Sequence, residues 1–298
     1  MILIDSNITK NASIHMDWGK NGSSTTDFLR GTGGRKYTVK AANNTVNPII
    51  TVEPTRYENV ERYDKSVVIE NLVIDGDGKG VTGIMLDNVV ASMIRNITIK
   101  NCDVGIHLHN HDGYWSECNC LKNIYMENVK KGILFTASGK HPTEPDPAYP
   151  GDSAAFTTVD NVSIVLDNSS TSVGIQVGDD AGLKFIKPYS SRIRASVLLG
   201  SNGGTGLKVT NGELQFGQSH LTVTRQDSGS GTGIDISMAI SKLPSQGIIW
   251  RNQFSTFNSG NGNLVSAGFM LVTSNISTPI NPSNAVANGK ADVLLKSF

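Results

Sequence analysis

The amino-acid sequence predicts an all-β solenoid, a fold in which short strands stack in successive coils. Three observations predict it: one unit of strand, turn, glycine and strand recurs, its strands alternate apolar and polar residues, and helical patterning is nearly absent. The single candidate for a turn of helix is Thr26–Arg30. The composition agrees, because 31 glycines and many Asn, Ser and Thr residues favour turns and strands over helices.

The unit is clearest in four copies, which start at Asn71, Asn96, Asn123 and Asn161. A strand of four or five residues cannot bury its apolar face alone, whereas coils stacked about 4.8 Å apart share a continuous core. We therefore predict that each coil lies over the next, with Ile97, Ile99, Ile106 and Leu108 over Ile124, Met126, Ile133 and Phe135. The four asparagines are predicted to stack at a turn and to hydrogen-bond along the solenoid.

The sequence Asn-Ile-Thr-Ile-Lys-Asn at 96–101, followed by Gly-Ile-His-Leu at 105–108, resembles the coils of right-handed parallel β-helix proteins of the pectate-lyase type. This family includes pectinolytic enzymes and bacteriophage tailspikes. The resemblance covers roughly 67–236 and implies an all-β right-handed parallel β-helix with capped ends. It also implies a homotrimer, or assembly with other virion proteins, because tailspike-like proteins often trimerise through their C-terminal region.

The predicted organisation has three parts. Residues 1–66 are expected to form an N-terminal cap and early coils, and residues 67–243 the parallel β-helix with an inserted loop at 137–155. Beyond Pro244 the glycine spacing changes, so residues 244–298 are expected to form late coils, a C-terminal cap or an oligomerisation region. A solenoid end needs such a cover because its open strand edge invites pairing.

Charge and targeting signals exclude several classes of function. The 26 basic and 26 acidic residues give zero net charge, which argues against a nucleic-acid partner. No apolar run approaches the roughly 18 residues of a membrane-spanning helix. Three cysteines cannot form a disulfide framework, and the N-terminus lacks the pattern of a signal peptide. We expect a virion or extracellular location reached by a route such as host lysis, or retention inside the cell.

The insertion at 137–155 is the clearest interruption of the repeat. Its four prolines exclude it from the interior of a sheet, so it should project from the solenoid. It carries His141, Glu144, Asp146, Tyr149 and Asp152, which suit sugar hydroxyls and ring stacking. The alternative is a rigid loop that decorates the surface or contacts another subunit.

A second candidate site lies at 107–117. If Ile106 and Leu108 point inward, the two-residue period of a strand directs the intervening histidines outward. Imidazoles, carboxylates and aromatic rings in one patch suit a saccharide, and we assign substrate binding here to His107, His109, His111, Tyr114 and Trp115. The alternatives are a zinc ion held by two histidines with Asp112 or a cysteine, and a solvated face with the tryptophan packed beneath its loop.

Paired carboxylates suggest how a glycosidic bond could be cleaved, with one acting as acid and the other as base or nucleophile. The first candidate pair is Glu117 and Asp112, and the second is Asp179 and Asp180. Gly178-Asp-Asp resembles an element of polygalacturonases, as Arg192-Ile-Arg resembles their Arg-Ile-Lys, but their Asn-Thr-Asp and His-Gly elements are absent. The alternative for the aspartate pair is a solvated turn.

No cofactor is predicted, with calcium as the alternative. Asp75-Gly-Asp-Gly could offer carboxylates to this ion, which pectate lyases use to bind acidic sugars. A calcium site needs about six oxygens, and the segment supplies two carboxylates. A glycine-rich turn explains the same residues.

Three functions follow from these observations. The first is a virion-associated, tailspike-like protein that recognises a host cell-surface polysaccharide and, in its enzymatic version, depolymerises it as a glycoside hydrolase or polysaccharide lyase. The second is a non-catalytic structural or adhesive shaft. The third is a secreted polysaccharide lyase or glycoside hydrolase, which should carry a signal peptide and a complete catalytic set.

Overall fold

A computed structural model describes residues 1–18, 27–54, 66–111, 116–138, 152–178, 186–188, 191–210, 213–216, 219–235, 247–250, 269–281 and 294–297. Within these ranges no helix occurs, and all paired strands are parallel. A sheet of 20 strands winds around one apolar core. The chain therefore forms the predicted all-β parallel β-helix.

Each coil has a first, second and third face, in chain order. The first three coils place one strand on each face: β1 (Ile2–Ile4), β2 (Ile8–Lys10), β3 (Ile14–Trp18), β4 (Asp27–Gly31), β5 (Tyr37–Ala41), β6 (Ile50–Pro54), β7 (Val67–Glu70), β8 (Leu72–Asp75) and β9 (Thr82–Asp87). The strands β1–β6 pair with one another and with β7–β9, so the described part of 1–66 continues the same solenoid.

From the fourth to the seventh coil, one longer strand covers the first and second faces and a second strand covers the third, whereas in each of the next two coils a single strand runs across all three faces. The strands up to the seventh coil, together with three short ones, are β10 (Met93–Lys100), β11 (Val104–His111), β12 (Cys120–Val129), β13 (Lys131–Ser138), β14 (Asp152–Ser153), β15 (Thr158–Leu166), β16 (Val173–Val177), β17 (Ile186–Lys187), β18 (Arg192–Leu198), β19 (Thr205–Val209) and β20 (Glu213–Phe216). They are followed by β21 (Ser219–Asp235), β22 (Gly247–Trp250), β23 (Phe269–Asn281) and β24 (Leu294–Ser297). Two short pairs, β14 with β17 and β20 with β22, lie beyond the third face.

The core consists of inward side chains stacked in register from coil to coil. On the third face one such column contains Ile50, Ile84, Ile106, Ile133, Ile175, Leu207 and Ile234, all almost completely buried. Each such side chain contributes about 1.5–3 kcal/mol through burial. The predicted stacking of β10 and β11 over β12 and β13 is confirmed residue by residue.

One local prediction was wrong. The segment assigned to a turn of helix, Thr26–Arg30, contains most of β4 (Asp27–Gly31). Leu29 is completely buried there and pairs with Ile2 on one side and Ile69 on the other. Burial between two neighbouring coils thus overrides the weak local preference for helix.

The asparagine ladder predicted at the start of each unit is present at Asn96, Asn123 and Asn161, whereas Asn71 shares the bend but makes no side-chain hydrogen bond within the described residues. Asn71, Asn96, Asn123 and Asn161 adopt φ of 53 to 57°, the left-handed conformation that bends the chain between the first and second faces. The Asn123 amide donates to Asn96 Oδ1 at 3.2 Å, and the Asn161 amide donates to Asn123 Oδ1 at 2.9 Å. Asparagine tolerates this conformation better than most residues, and its amide supplies the bonds along the axis.

A second ladder follows the second face. The Asn128 amide donates to Asn101 Oδ1, and the Asn101 amide donates to Asp75 Oδ1, both at 2.9 Å. Asn101 and Asn128 are also left-handed, with φ of 55 and 54°. Two parallel rows of amides therefore hold the bends of these coils in register.

The recurring glycine at the start of the third face is required by close packing. A Cβ on Gly105 would lie 2.7 Å from the Gly132 carbonyl oxygen and 2.6 Å from Met126 Sδ. A Cβ on Gly132 would lie 2.5 Å from the Gly174 carbonyl oxygen. These distances leave no room for a side chain, so the backbone of each coil can approach its neighbour only at glycine.

The described edges of the insertion at 137–155 belong to the solenoid. Ala137 and Ser138 complete β13, and Asp152–Ser153 form β14. Ala154 and Ala155 are fully buried. In the described part of the chain no helix is long and apolar enough to cross a membrane.

Candidate functional site

Three consecutive strands of the third face end at one edge. The register aligns Leu108 of β11 with Phe135 of β13 and Phe135 with Val177 of β16. Parallel strands in register bring their carboxyl ends to the same edge of a sheet. The segments selected from the sequence, 107–117, 137–155 and 178–180, contain or directly follow these strand ends and continue past His111, Ser138 and Gly178. The fold therefore attaches all three candidate segments to neighbouring coils at this edge, which we call the third-face edge.

The outward direction of His107 and His109 in β11 is confirmed. Ile106 and Leu108 are completely buried, while His107 and His109 between them are partly exposed. In β13, the neighbouring strand, His107 pairs with Leu134 and His109 with Thr136.

A chain of hydrogen bonds joins these two strands on their outer side. The Thr136 hydroxyl lies 2.6 Å from His107 Nε2 and 2.7 Å from His109 Nδ1, and His109 Nε2 lies 2.9 Å from the Ser138 hydroxyl. The two ring centroids are 5.3 Å apart. A hydroxyl donates one proton, so when it donates to one imidazole nitrogen it can accept from the other only if that nitrogen carries hydrogen. The tautomers of the two rings are therefore coupled through Thr136.

Burial, together with the neighbouring charges of His109 and Lys131, lowers the pKa of His107 to about 3. His107 is consequently neutral near pH 7, and its ring serves as a hydrogen-bonding group rather than as a cation. A neutral, oriented imidazole of this kind can bind a sugar hydroxyl but cannot deliver the proton of a general acid near pH 7.

Three members of this cluster were not predicted from the sequence: Asp87, Thr136 and Ser138. Asp87 is 6% exposed and pairs in register with His109 from the preceding coil. The spacing of the recurring glycines, at 83, 105 and 132, contains the signal that could have found them. The same offsets applied to His109 give residues 87 and 136, and the second offset applied to His111 gives residue 138.

Two buried amides at the third-face edge have unused acceptors. The Asn110 amide donates to the Ser153 carbonyl at 2.7 Å, and the Gln176 amide donates to the Gly178 carbonyl at 2.9 Å. Asn110 Oδ1 and Gln176 Oε1 are buried without a hydrogen-bond donor. Each such acceptor costs about 1–3 kcal/mol when it is left without a donor.

Among the residues predicted to be catalytic, Glu117 is the one that the structure describes. It is partly exposed on the stretch between β11 and β12, where its carbonyl accepts from the Ala91 backbone N–H at 2.9 Å. Its carboxylate makes no hydrogen bond or ion pair with a described side chain. The side chains of the other predicted site residues lie outside the described residues: His111, Asp112, Tyr114, Trp115, His141, Glu144, Asp146, Tyr149, Asp179 and Asp180.

The carboxylates considered for calcium are bound by protein groups. Asp75 accepts from the Asn101 amide and the Asp77 backbone N–H, both at 2.9 Å, and lies 3.3 Å from Lys100 Nζ. Burial alone would raise the pKa of Asp75, but these hydrogen bonds and the Lys100 charge outweigh it and lower the pKa. Asp77 pairs with Lys40 at 2.7 Å. The described residues contain no cluster of three metal-binding side chains, and the calcium and zinc alternatives stay predictions.

No family model matches this chain, and no match was found among curated proteins or solved structures. The class that the structure defines is a parallel β-helix protein with a histidine-containing polar cluster at one strand edge. The resemblance to the pectate-lyase type therefore rests on the repeat alone.

Proposed function

We propose that this protein recognises a host cell-surface polysaccharide, as a tailspike-like, virion-associated β-helix, and that the third-face edge is its binding site. The observation that supports the proposal is that the strands leading into three independently selected segments end on consecutive coils at one sheet edge. Assembly as a homotrimer or with other virion proteins is part of the same proposal, as is the relationship to pectate-lyase-type proteins.

The chemistry of the described cluster supports this choice. Saccharides present many neutral hydroxyl groups, and a site for them needs hydrogen-bonding groups held in fixed directions. His107, Thr136, His109 and Ser138 form such a row across two coils, with bonds of 2.6 to 2.9 Å. Coils spaced about 4.8 Å apart repeat on a scale close to the length of one sugar residue, which suits an extended polymer.

Binding can be tested with the full chain and a panel of bacterial surface polysaccharides. Thr136→Val keeps the side-chain volume and removes the hydroxyl that links both imidazoles. Loss of about 1 kcal/mol, the net value of one hydrogen bond, corresponds to about fivefold weaker binding. Thr222→Val is the matched control, because the Thr222 hydroxyl also bonds a histidine, His220, at 3.1 Å but lies on the second face. Equal affinities for both variants would refute the assignment of the site.

Catalysis is tested separately, by a substitution at Glu117. If Glu117 acts as acid or base on a glycosidic bond, Glu117→Gln abolishes cleavage and leaves binding intact. Glu127→Gln, on the outer side of β12, is the control. New reducing ends would identify a hydrolase and unsaturated products a lyase, and loss of activity with a chelator would favour calcium. Full activity of Glu117→Gln would refute its role.

The shaft is the competing function. Folded protein that neither binds nor cleaves any polysaccharide of a broad panel would favour a structural or adhesive β-helix. The regular amide ladders of the bends are compatible with that function, because they stabilise stacking without providing a site.

A further inference from the structure

A cavity of about 160 Å³ lies at the turns that join the second and third faces of later coils. Its wall combines apolar and polar side chains: Val165, Leu198, Asn168, Arg225, Gln226 and Asp227. Because a water molecule takes about 30 Å³ in the liquid, the cavity has space for about five water molecules or one small organic group. The hydrogen-bonded cluster of His107, His109, Thr136 and Ser138 contributes no residue to this cavity.

The apolar wall of the cavity follows a column of charged residues. Along the outer side of the second face, in-register positions carry charged residues in four consecutive coils, apolar residues in the next two, and a threonine in the coil after them: Lys40, Asp75, Lys100, Glu127, Val165, Leu198 and Thr224. Stacking by itself accepts charged side chains at this position, as the four earlier coils demonstrate. The change to Val165 and Leu198 coincides with the cavity.

Arg225 is held rigidly at the cavity. It is 8% exposed, its Nη1 donates to the Ser230 carbonyl, and its Nη2 donates to the Ser201 carbonyl at 2.7 Å. A Cβ on Gly229 would lie 3.0 Å from the guanidinium, so glycine allows the backbone to cover the group closely. The guanidinium is therefore fixed in place before any ligand arrives.

The charge and the donors of Arg225 are incompletely satisfied. It forms no ion pair with any carboxylate of the described residues, including the exposed Asp227 on the same cavity. Its Nε is buried without an acceptor. A guanidinium has five N–H donors, and two are used here. Burying an unpaired charge is costly, and the planar donor fork matches a carboxylate.

We propose that this cavity is a second ligand site, which takes the carboxylate of a small hydroxylated organic acid. Arg225 would bind the carboxylate, the amides of Asn168 and Gln226 the hydroxyls, and the Val165–Leu198 wall the carbon skeleton. A uronic acid fits this description. The choice of a sugar acid rests on the proposed function, whereas the requirement for an anion rests on Arg225 alone.

The test is a calorimetric titration of the full chain with glucuronate and with glucose, which differ in the carboxylate. We expect glucuronate to bind at least tenfold more tightly than glucose. Arg225→Gln should abolish the difference, and Arg194→Gln, an exposed arginine on the first face, should preserve it. Asp227→Asn removes a negative charge from the wall and should strengthen glucuronate binding severalfold.

Further variants make each outcome decisive. If Arg225→Gln fails to fold by circular dichroism, Gln226→Trp replaces it, because the indole would fill the cavity without removing the guanidinium. Any of three results would overturn the proposal: glucuronate does not bind, glucuronate and glucose bind equally well, or Gln226→Trp leaves glucuronate binding unchanged. Thr136→Val separates the two sites: it should weaken polysaccharide binding and leave glucuronate binding unaltered. If polysaccharide binding alone is absent, the assignment of the third-face edge fails. If glucuronate binding alone is absent, the assignment of this cavity fails.

Discussion

The ladder at Asn123 offers a sharp test of what holds the coils together. Asn123 occupies the interior of the ladder, with one hydrogen bond to Asn96 and one from Asn161. It also adopts φ of 53°, where most side chains are strained. Replacement by glycine removes the two bonds and keeps the conformation accessible, whereas replacement by alanine removes the bonds and adds the strain.

The expected magnitudes follow from these two terms. Both bonds are solvent-exposed, so we assign each the low end of the usual range, about 0.5 kcal/mol. Glycine adds about 0.5–1 kcal/mol through the entropy of the unfolded chain, which gives about 1.5–2 kcal/mol for Asn123→Gly. For Asn123→Ala, about 1–2 kcal/mol of left-handed strain adds to the lost bonds and gives about 2–3 kcal/mol.

The assay is urea unfolding followed by far-ultraviolet circular dichroism, with refolding from urea to establish reversibility. Asn71→Gly is the matched control, because Asn71 has φ of 57° but its amide makes no hydrogen bond with a described side chain. We expect the order wild type, Asn123→Gly, Asn123→Ala in decreasing stability, with Asn71→Gly closer to wild type than Asn123→Gly. An Asn123→Gly protein as stable as Asn71→Gly would refute the contribution of the ladder.

Three further predictions concern packing, pH and thiols. Gly132→Ala should cost about 1–3 kcal/mol in urea unfolding through overpacking; an unchanged midpoint would show that the coils can separate locally. Because the pKa of His107 falls from 6.5 unfolded to about 3 folded, the unfolded state binds the proton first, and stability should decline as pH falls from 6.5 to 3. His107→Asn should flatten this decline, and His15→Asn, on a half-exposed side chain, should leave it; identical slopes would contradict the assignment. Iodoacetamide should label the exposed Cys118 in the folded protein, and faster at higher pH, because burial and Glu117 raise the pKa of this thiol. It should label Cys102 only after unfolding, because this thiol is buried and its burial raises its pKa to about 12. Equal labelling of both thiols in the folded state would contradict the burial of Cys102.

The solenoid was predictable because each coil repeats the same physical requirement. Ile106 and Leu108 alternate with polar residues, and the same alternation recurs at Ile133 and Phe135, so the inward column can be read from the spacing. The stacking of the asparagines at a turn was predictable for the same reason, because they recur at one position of the unit. Where the unit is absent, local preference misled: β4 pairs in the core although its sequence lacks the asparagine of the repeat.

The candidate site was predictable in part. The outward direction of His107 and His109 follows from strand alternation, and the convergence of the three segments follows from a parallel stack. The partners Thr136 and Ser138 come from another coil, where the sequence alone gives no distance and the offset between coils must be known. The Arg225 cavity was not anticipated, because its walls come from three coils whose turns depart from the repeat.

The direction of the hydrogen bonds gives this fold an unequal resistance to force. Every inter-coil ladder, including the asparagine ladders, bonds a strand to the coil above or below, so these bonds lie along the long axis. Axial tension acts on the coil interfaces in series, and the weakest interface yields first. Force applied along the strands instead shears many bonds of one interface together. A fibre built from such coils therefore extends by the sum of its interfaces, while the axial force that breaks it is set by the weakest one.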